Sequence, residues 1–198
     1  MKIGIMGGTY NPPHMGHLHA AEQAQKYLHL DRLFLIPDNI PPHKELPEGS
    51  PDALQRLTMT KIAARTISAE VSDIEIQRKG VSYTADTIDY MAQCYPNAEL
   101  FFIIGTDMFL TIQNWYQPVR IFQTATLAVV AREERDAEKI ATHAHALMKY
   151  GAKFQIIPCE PFAISSTELR ENISNPQMQK FLPKGIWNYI VQEHLYGV

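Results

Sequence analysis

Short, continuously apolar segments recur along the chain and predict buried β-strands. They lie at residues 3–6, 33–36, 71–76, 100–104, 127–131 and 154–157. Their apolar residues run on without the alternation of a half-exposed strand, which indicates burial on both faces of a sheet. Such strands are typical of a parallel sheet that helices cover on both sides.

Helical spacing fills several of the intervals between these strands. Apolar side chains recur every three or four positions in segments 18–28, 54–62, 85–95 and 137–148. This alternation predicts an α/β fold, a doubly wound parallel sheet with right-handed crossovers, in a single domain over residues 1–198. Ligands of such sheets bind beyond the carboxyl ends of the strands. We therefore expect the turns that follow the strands to form one large site.

Composition narrows the classes of partner. The chain has 198 residues, a hydrophobic share of 45% and a formal net charge of −3, without the basic stripe of a nucleic-acid binder. No apolar run reaches the ~18–20 residues of a membrane span, and no signal peptide precedes the first strand. Cys94 and Cys159 form no Cys-x-x-Cys motif, which favours a reduced, cytoplasmic protein. We expect no nucleic-acid or membrane partner, and homo-oligomerisation stays open.

The turn after the first strand carries the most specific pattern. Gly7 and Gly8 allow the backbone to approach an anion, and the free amides at the start of the next helix favour negative charge. His14 and His17 fall on one face of the first helical turn. Together these residues predict a polyphosphate site. A plain tight turn or half of a metal site is the alternative, and the metal alternative lacks further ligands nearby.

The turn after the last strand leads into a second helix start, which is rich in hydroxyls. Ser165 and Glu168 match the Ser-x-x-Glu capping box, which needs no ligand. Ser166, Thr167 and Arg170 crowd the same turn, and this combination at a helix start suits an anion. From the sequence, capping and phosphate binding both stay open.

The remaining turns offer polar residues that each have a structural alternative. Lys44 ends a proline-rich loop, where most lysines are simply solvated. Thr84 is suited to cap the next helix, with Asp86 in its first turn. Gly105 directly follows the fourth apolar segment. Trp115 stands in a polar setting that suits either a loop with an exposed ring or a core aromatic.

Nucleotidyl or phosphoryl transfer is the chemistry that these residues suit. The chain lacks a G-x-x-x-x-G-K-[ST] loop, a G-x-G-x-x-G turn and a G-x-S-x-G elbow, which argues against P-loop NTPases, dinucleotide dehydrogenases and elbow-type hydrolases. Direct attack of one substrate on a nucleotide phosphate remains. Catalysis of such a reaction rests mainly on alignment and on stabilisation of charge, and histidine donates to the developing oxyanions.

Two motifs together resemble the signature pair of the nucleotidylyltransferase superfamily. They are His-x-Gly-His at 14–17 after Gly-Gly-Thr at 7–9, and Ile-Ser-Ser-Thr-x-x-Arg at 164–170. Three further motifs narrow the resemblance to the bacterial nicotinate-nucleotide adenylyltransferases, namely Pro-Pro-His-Lys at 41–44, Ser-Tyr-Thr-x-Asp-Thr at 82–87 and Ile-Ile-Gly-x-Asp at 103–107 with Trp115. The resemblance covers essentially the whole chain. Tyr10 and Asn11 stand where many relatives carry Phe-Asp, which is a conservative difference.

The resemblance implies a Rossmann-like nucleotidylyltransferase fold and one reaction of NAD biosynthesis. ATP and nicotinate mononucleotide would give nicotinate adenine dinucleotide and pyrophosphate. The 5′-phosphate of the mononucleotide would attack the α-phosphorus of ATP directly. Mg²⁺ would be carried with ATP, held by phosphates and water rather than by a metal site of the protein.

The same resemblance assigns roles to residues of this sequence. The catalytic residues would be His14, His17, Lys44 and Arg170, with His14 stabilising charge on the α-phosphate. The ATP-binding residues would be Gly7, Gly8, Thr9, Tyr10, Gly105, Asp107, Ile164, Ser165, Ser166 and Thr167. The residues that bind the nicotinate nucleotide would be Tyr83, Thr84 and Trp115.

Two rival functions share part of this pattern. One is another adenylyl- or cytidylyltransferase, whose acceptor is phosphopantetheine or an alcohol phosphate. Tyr83 and Trp115 argue against it, because a flat aromatic pocket suits a pyridine ring. The other rival is a nucleotide-sensing module that binds without turnover, and such a module has no use for transition-state groups such as His14 and Arg170.

Overall fold

A computed structural model describes residues 1–131, 134–160, 162 and 164–198. The strands are β1 (Lys2–Gly8), β2 (Arg32–Pro37), β3 (Glu70–Val71), β4 (Glu99–Gly105), β5 (Thr126–Ala131) and β6 (Lys153–Pro158). They form one sheet in the order β3-β2-β1-β4-β5-β6, in which β1–β4, β4–β5 and β5–β6 pair in parallel. The predicted fold class, an α/β parallel sheet, is confirmed.

Helices occupy most of the connections between the strands. They are α1 (Met15–Leu28), α2 (Ala53–Ala64), α3 (Ile74–Arg78), α4 (Thr84–Cys94), α5 (Thr106–Phe109), α6 (Pro118–Thr124), α7 (Glu134–Met148), α8 (Ser166–Glu171) and α9 (Ile186–Gln192). Short 3₁₀ turns lie at Ile112–Asn114, Pro176–Phe181 and Leu195–Gly197. Across the part of the chain that the structure describes, none of the helices is both long and apolar enough to cross a membrane.

The chain divides into two compact units, and the first comprises Met1–Gly7, Ala20–Phe34 and Tyr83–Pro161. Its core is built on β1, β4 and β5, whose apolar side chains are buried as the continuous pattern predicts. Because β1 and β4 run parallel, their carboxyl ends, at Gly8 and Gly105, point to the same edge of the sheet.

The second unit comprises Gly8–His19, Leu35–Ser82 and Phe162–Val198. Helices α2 and α9 contact each other in this unit, and both contribute fully buried side chains to its core. Two predicted phosphate-binding segments, at 14–17 and 164–170, belong to this unit. The prediction of one domain over residues 1–198 stays a prediction.

The predicted strand over residues 71–76 is wrong beyond Val71. Strand β3 ends there, and the following residues turn into helix α3. Asp73 occupies the N-cap position of this helix and Glu75 lies in its first turn, where the helix dipole favours negative charge. The β-branched residues Val71, Ile74 and Ile76 are typical of a strand, but so short a segment does not separate the strand period from the helix period.

Two local predictions at the ends of elements also need correction. Gly7 and Gly8 do not form a turn, since both belong to β1 and the turn begins after them. Thr84 is not a helix cap, because Tyr83 holds the N-cap position of α4 and Thr84 is the first helical residue. Tyr83 has the extended backbone of an N-cap residue, with φ −87° and ψ 126°, but its side chain accepts no capping hydrogen bond.

Candidate active site

The loop between β1 and α1 folds around the side chain of Tyr10. This ring is 1% exposed and its backbone has a φ of +49°. A Cβ atom on Gly8 would lie 3.3 Å from the Tyr10 ring, so the glycine leaves room for the ring to fold back. Burial, with smaller contributions from Glu75 and Asp38, raises the pKa of the Tyr10 hydroxyl, which therefore stays protonated.

His14 and His17 form a stacked pair where helix α1 begins. Their ring centroids are 3.7 Å apart with 29° between the planes. The His14 backbone N–H donates to Nδ1 of His17 over 3.2 Å, which leaves the proton of a neutral His17 on Nε2. The edge of Tyr10 contacts the His17 ring at a centroid distance of 5.2 Å. The predicted pair is thus confirmed as neighbours, oriented by the loop and by each other.

Gly16 makes this pairing sterically feasible. A Cβ atom at this position would lie 3.0 Å from Nδ1 and 3.1 Å from Cε1 of His14. It would also lie 3.4 Å from the side chain of Ile164, which is buried. The glycine between the two histidines therefore serves packing of the His14 ring rather than a special backbone angle.

A buried ion pair that the sequence analysis did not find supports the same loop. The Arg56 guanidinium is 1% exposed and donates to Asp38 Oδ1 over 2.7 Å. It also donates to the carbonyl oxygens of Thr9 and Asn39, each over 2.8 Å. The other carboxylate oxygen of Asp38 accepts from the Thr9 hydroxyl over 2.8 Å. Two features of the sequence could have indicated this ion pair. Arg56 is a charged residue within the amphipathic pattern of α2, and Asp38 is an acidic residue directly after β2.

The start of α8 contacts the loop after β1. The Ser166 hydroxyl donates to the carbonyl oxygen of Pro12 over 3.1 Å. The Arg170 guanidinium donates to the carbonyl oxygen of Asn11 over 2.7 Å and to the Thr167 hydroxyl over 3.1 Å. The predicted anion segment at 164–170 is therefore joined by hydrogen bonds to the loop residues that directly precede the histidine pair.

Ser165 caps this second helix start without burying its hydroxyls. The Ser165 hydroxyl accepts from the Glu168 backbone N–H over 3.1 Å, which is the N-cap bond that the capping-box pattern predicts. Ser165 and Thr167 are exposed, so their hydroxyls are also accessible to a ligand.

Lys44 lies in a loop whose residues 39–42 and 44–46 line a shallow depression. Partial desolvation lowers the pKa of its ammonium group, the cations Arg170 and Arg56 lower it further, and Asp38 opposes them. Those influences place the Lys44 charge within electrostatic reach of the Asp38–Arg56 pair and of Arg170. An anionic ligand would raise the pKa of Lys44 again, so the cation is suited to such a ligand.

In the first unit, the predicted ribose contacts follow strand β4. Gly105 ends the strand and caps α5, and Asp107 is exposed in the first turn of that helix. Between them, the Thr106 hydroxyl bonds Val130 over 3.3 Å and Asp136 over 3.2 Å. These bonds fix the turn and leave the exposed Asp107 carboxylate at its surface.

The predicted nicotinate residues also belong to the first unit. Tyr83 stacks on Tyr116 with ring centroids 4.2 Å apart. Trp115 is half-buried and its ring meets that of Phe102 edge to face at 6.2 Å. Trp115 thus combines both interpretations of the sequence, since part of the ring is packed and part is accessible.

No group of three or more His, Cys, Asp or Glu side chains among the described residues is arranged to hold a metal ion. Around the loop after β1, the side chains of Arg56, Ser166 and Arg170 donate hydrogen bonds. Donors of this kind recognise phosphate oxygens.

Comparison with known proteins agrees with the geometry. A family model described as cytidylyltransferase-like matches residues 5–172. A protein named "Probable nicotinate-nucleotide adenylyltransferase" from Listeria monocytogenes serotype 4a (strain HCC23) is 36% identical over 197 residues, which cover 99% of this chain and 97% of the relative. A protein of the same name from Dictyoglomus thermophilum is 34% identical over 198 residues, covering 99% of this chain and all of the relative.

A solved structure shares the fold. The Plasmodium falciparum nicotinic acid mononucleotide adenylyltransferase complexed with NaAD has a TM-score of 0.77 at 17% identity, over 98% of this chain and 97% of that one. This likeness confirms the predicted fold. The full-length relatives confirm the predicted family and enzyme class, a nucleotidyltransferase of NAD biosynthesis. The chain belongs to the nicotinate-nucleotide adenylyltransferase family.

Proposed function

We propose that this protein transfers the adenylyl group of ATP to nicotinate mononucleotide, with release of pyrophosphate and formation of nicotinate adenine dinucleotide. The observation that carries the proposal is the stacked His14–His17 pair at the start of α1, joined through its loop to Arg170. Such an array of donors at a helix start suits the triphosphate of a nucleotide.

In the proposed reaction, a 5′-phosphate oxygen of the mononucleotide forms a bond to the α-phosphorus of ATP. The bond from that phosphorus to the bridging oxygen breaks, and its electrons leave with pyrophosphate. His14 and His17 donate to oxygens of the reacting phosphates, whose negative charge changes as the bonds change. The Nε2–H tautomer of His17, set by the His14 backbone, is already the donor form.

Ser166, Thr167 and Arg170 hold the β- and γ-phosphates in this proposal, and Arg170 favours departure of pyrophosphate. The guanidinium supports this role because it already bonds the loop that carries the histidines. Lys44 approaches the phosphates from its loop. Gly7, Gly8, Thr9 and Tyr10 shape the backbone beside the phosphates, with Ile164 and Ser165 at the second helix start. Mg²⁺ enters with ATP as part of the substrate and neutralises phosphate charge.

We assign recognition of the remaining substrate groups to the first unit. Gly105 and Asp107 bind near the adenosine ribose, where the exposed Asp107 carboxylate can accept from a hydroxyl. The nicotinate ring stacks on an aromatic face of Trp115 or Tyr83, and backbone amides near Thr84 donate to the nicotinate carboxylate. The setting that we propose for this reaction is the cytoplasm.

Pyrophosphate release with ATP and Mg²⁺ tests the proposal directly. Nicotinate mononucleotide, nicotinamide mononucleotide and phosphopantetheine would be compared as acceptors, and we expect strong preference for the first. Release with phosphopantetheine alone would keep the chemistry and overturn the nicotinate pocket. Binding of ATP without release in any reaction would instead favour a sensing module.

A matched pair of variants places the activity in the histidine pair. His14→Ala should slow release by about a hundredfold to a thousandfold, whereas His19→Ala should retain it. His19 lies in the same helix, but its ring faces Phe162 at a centroid distance of 5.9 Å. Equal losses in both variants would contradict the assignment of the reaction to the start of α1.

A further inference from the structure

Tyr196 makes a long-range contact with the loop after β1 that the proposed mechanism does not use. Its hydroxyl donates to Oδ1 of Asn11 over 2.8 Å, across 185 residues of sequence. The side chain is half-buried, and the backbone at this position has a φ of +59°. A tyrosine in the left-handed region carries a conformational cost, so its place in the fold is held by surrounding contacts.

Asn11 is the point where several parts of the second unit meet. The residue is 3% exposed. Its side-chain amide donates to the Ser50 hydroxyl over 3.0 Å, while its Oδ1 accepts from Tyr196. Its carbonyl oxygen accepts from the Arg170 guanidinium over 2.7 Å. Hydrogen bonds therefore fix the side-chain nitrogen, the side-chain oxygen and the main-chain carbonyl of Asn11 together.

The position of Asn11 gives this arrangement a consequence for chemistry. His14 follows three residues later, and Arg170 bonds the Asn11 peptide directly. A shift of the Asn11 main chain would move the backbone that leads to His14 and displace the carbonyl oxygen that accepts from Arg170. A displacement of about 1 Å in a reacting group can cost roughly a hundredfold in rate.

We propose that Tyr196 is a positioning residue for catalysis, which locks Asn11 and through it aligns both His14 and Arg170. This inference rests on the proposed adenylyl transfer, since it concerns the rate of that reaction. Tyr196 touches Asn11 rather than the reacting groups, so its loss should slow turnover more than it weakens substrate binding.

Tyr196→Phe is the direct test, because it removes the hydroxyl and keeps the ring in place. We expect kcat to fall about tenfold, with the KM values for ATP and nicotinate mononucleotide changed less than twofold. Tyr189→Phe is the matched control, because this tyrosine lies in α9 of the same unit. The control should keep the wild-type kcat.

A double-mutant cycle separates positioning from general stability. If Tyr196 acts through Asn11, adding Tyr196→Phe to the Asn11→Ala variant should not lower its kcat further. Asn11→Asp keeps an oxygen that can accept from Tyr196, so adding Tyr196→Phe to that variant should still lower its kcat. Thermal unfolding of each variant, measured alongside, shows that the protein is folded at the assay temperature.

The outcomes distinguish this inference from the proposed function. A wild-type enzyme that releases pyrophosphate and a Tyr196→Phe variant with unchanged kcat would overturn the positioning role alone. Additive losses in the cycle would overturn it as well, because they would place Tyr196 outside the Asn11 network. A wild-type protein without any release would overturn the proposed function itself.

Discussion

The starts of helices α1 and α8 look alike in the sequence but differ in what their side chains do. At α1, the two histidines stack on each other, and the loop around them sets their orientation. At α8, Ser165 caps the helix while Ser166 and Arg170 bond the main chain of the first loop. The start of α1 thus presents two imidazole rings as hydrogen-bond donors. The start of α8 also carries donors, and its side chains hold the loop that precedes α1 in place.

Polar residues at a helix start can therefore have two roles, since they can present donors to a ligand or hold a neighbouring loop in place. Helix α1 runs over 14 residues and α8 over only 6. The longer helix has the more fully developed dipole at its start, where we place the reacting phosphate. The shorter helix contributes chiefly through its side chains. Variants at the two starts should therefore separate effects on rate from effects on binding.

The largest effect is expected for His14→Ala. Removing a donor to the charge that develops in the transition state costs about a hundredfold to a thousandfold in kcat. The KM for ATP should change little, because the remaining donors still bind the triphosphate. Steady-state pyrophosphate release at varied ATP checks this. A rise in KM with an unchanged kcat would make His14 a binding residue and break the comparison.

Arg170→Ala should lower kcat and raise the KM for ATP together, by roughly tenfold to a hundredfold in kcat/KM. The guanidinium is expected to hold phosphates and also to orient the loop through Asn11. Arg170→Lys should recover only part of the loss, since one ammonium cannot make the bonds to both Asn11 and Thr167. Wild-type kinetics in Arg170→Ala would reduce the second helix start to a simple cap.

Gly16→Ala sharpens the comparison at the first helix start. The added methyl would lie 3.0 Å from His14 Nδ1, so the ring must shift. We expect about a tenfold loss of kcat, because a small misplacement of a catalytic group is sufficient for such a loss. Alanine is the better helix former, so a general loss of helix is not the reason. An unchanged kcat would show that the ring position is not critical.

Trp115→Ala lies outside both helix starts and should have the smallest effect. Loss of a stacking face is worth about 0.5–1.5 kcal/mol, which corresponds to a rise of about twofold to tenfold in the KM for the mononucleotide. The KM for ATP should stay the same. Equal rises for both substrates would indicate that Trp115 serves packing against Phe102 instead.

The sequence was sufficient for the fold class and for the main elements because continuous apolar runs and helical spacing are local signals. It failed at residues 72–76, where a short segment fits either period and its tertiary setting decides. The two helix starts were found because each concentrates its signal in a few consecutive residues.

What the sequence could not supply was the set of long-range contacts around those starts. Arg56 and Asp38 are 18 residues apart, and Tyr196 and Asn11 are 185 apart, with nothing local to link either pair. Gly16 illustrates the same limit. Its place between two histidines is visible in the sequence, but the distance to the His14 ring that explains it is a property of the folded chain.

The central claim is that the α1 start acts on the rate and the α8 start acts on both rate and binding. ATP dissociation constants and single-turnover rates, measured side by side for His14→Ala and Arg170→Ala, test it most directly. We expect a wild-type dissociation constant with a much slower turnover for His14→Ala, and changes in both quantities for Arg170→Ala. The same pattern of losses in the two variants would contradict it.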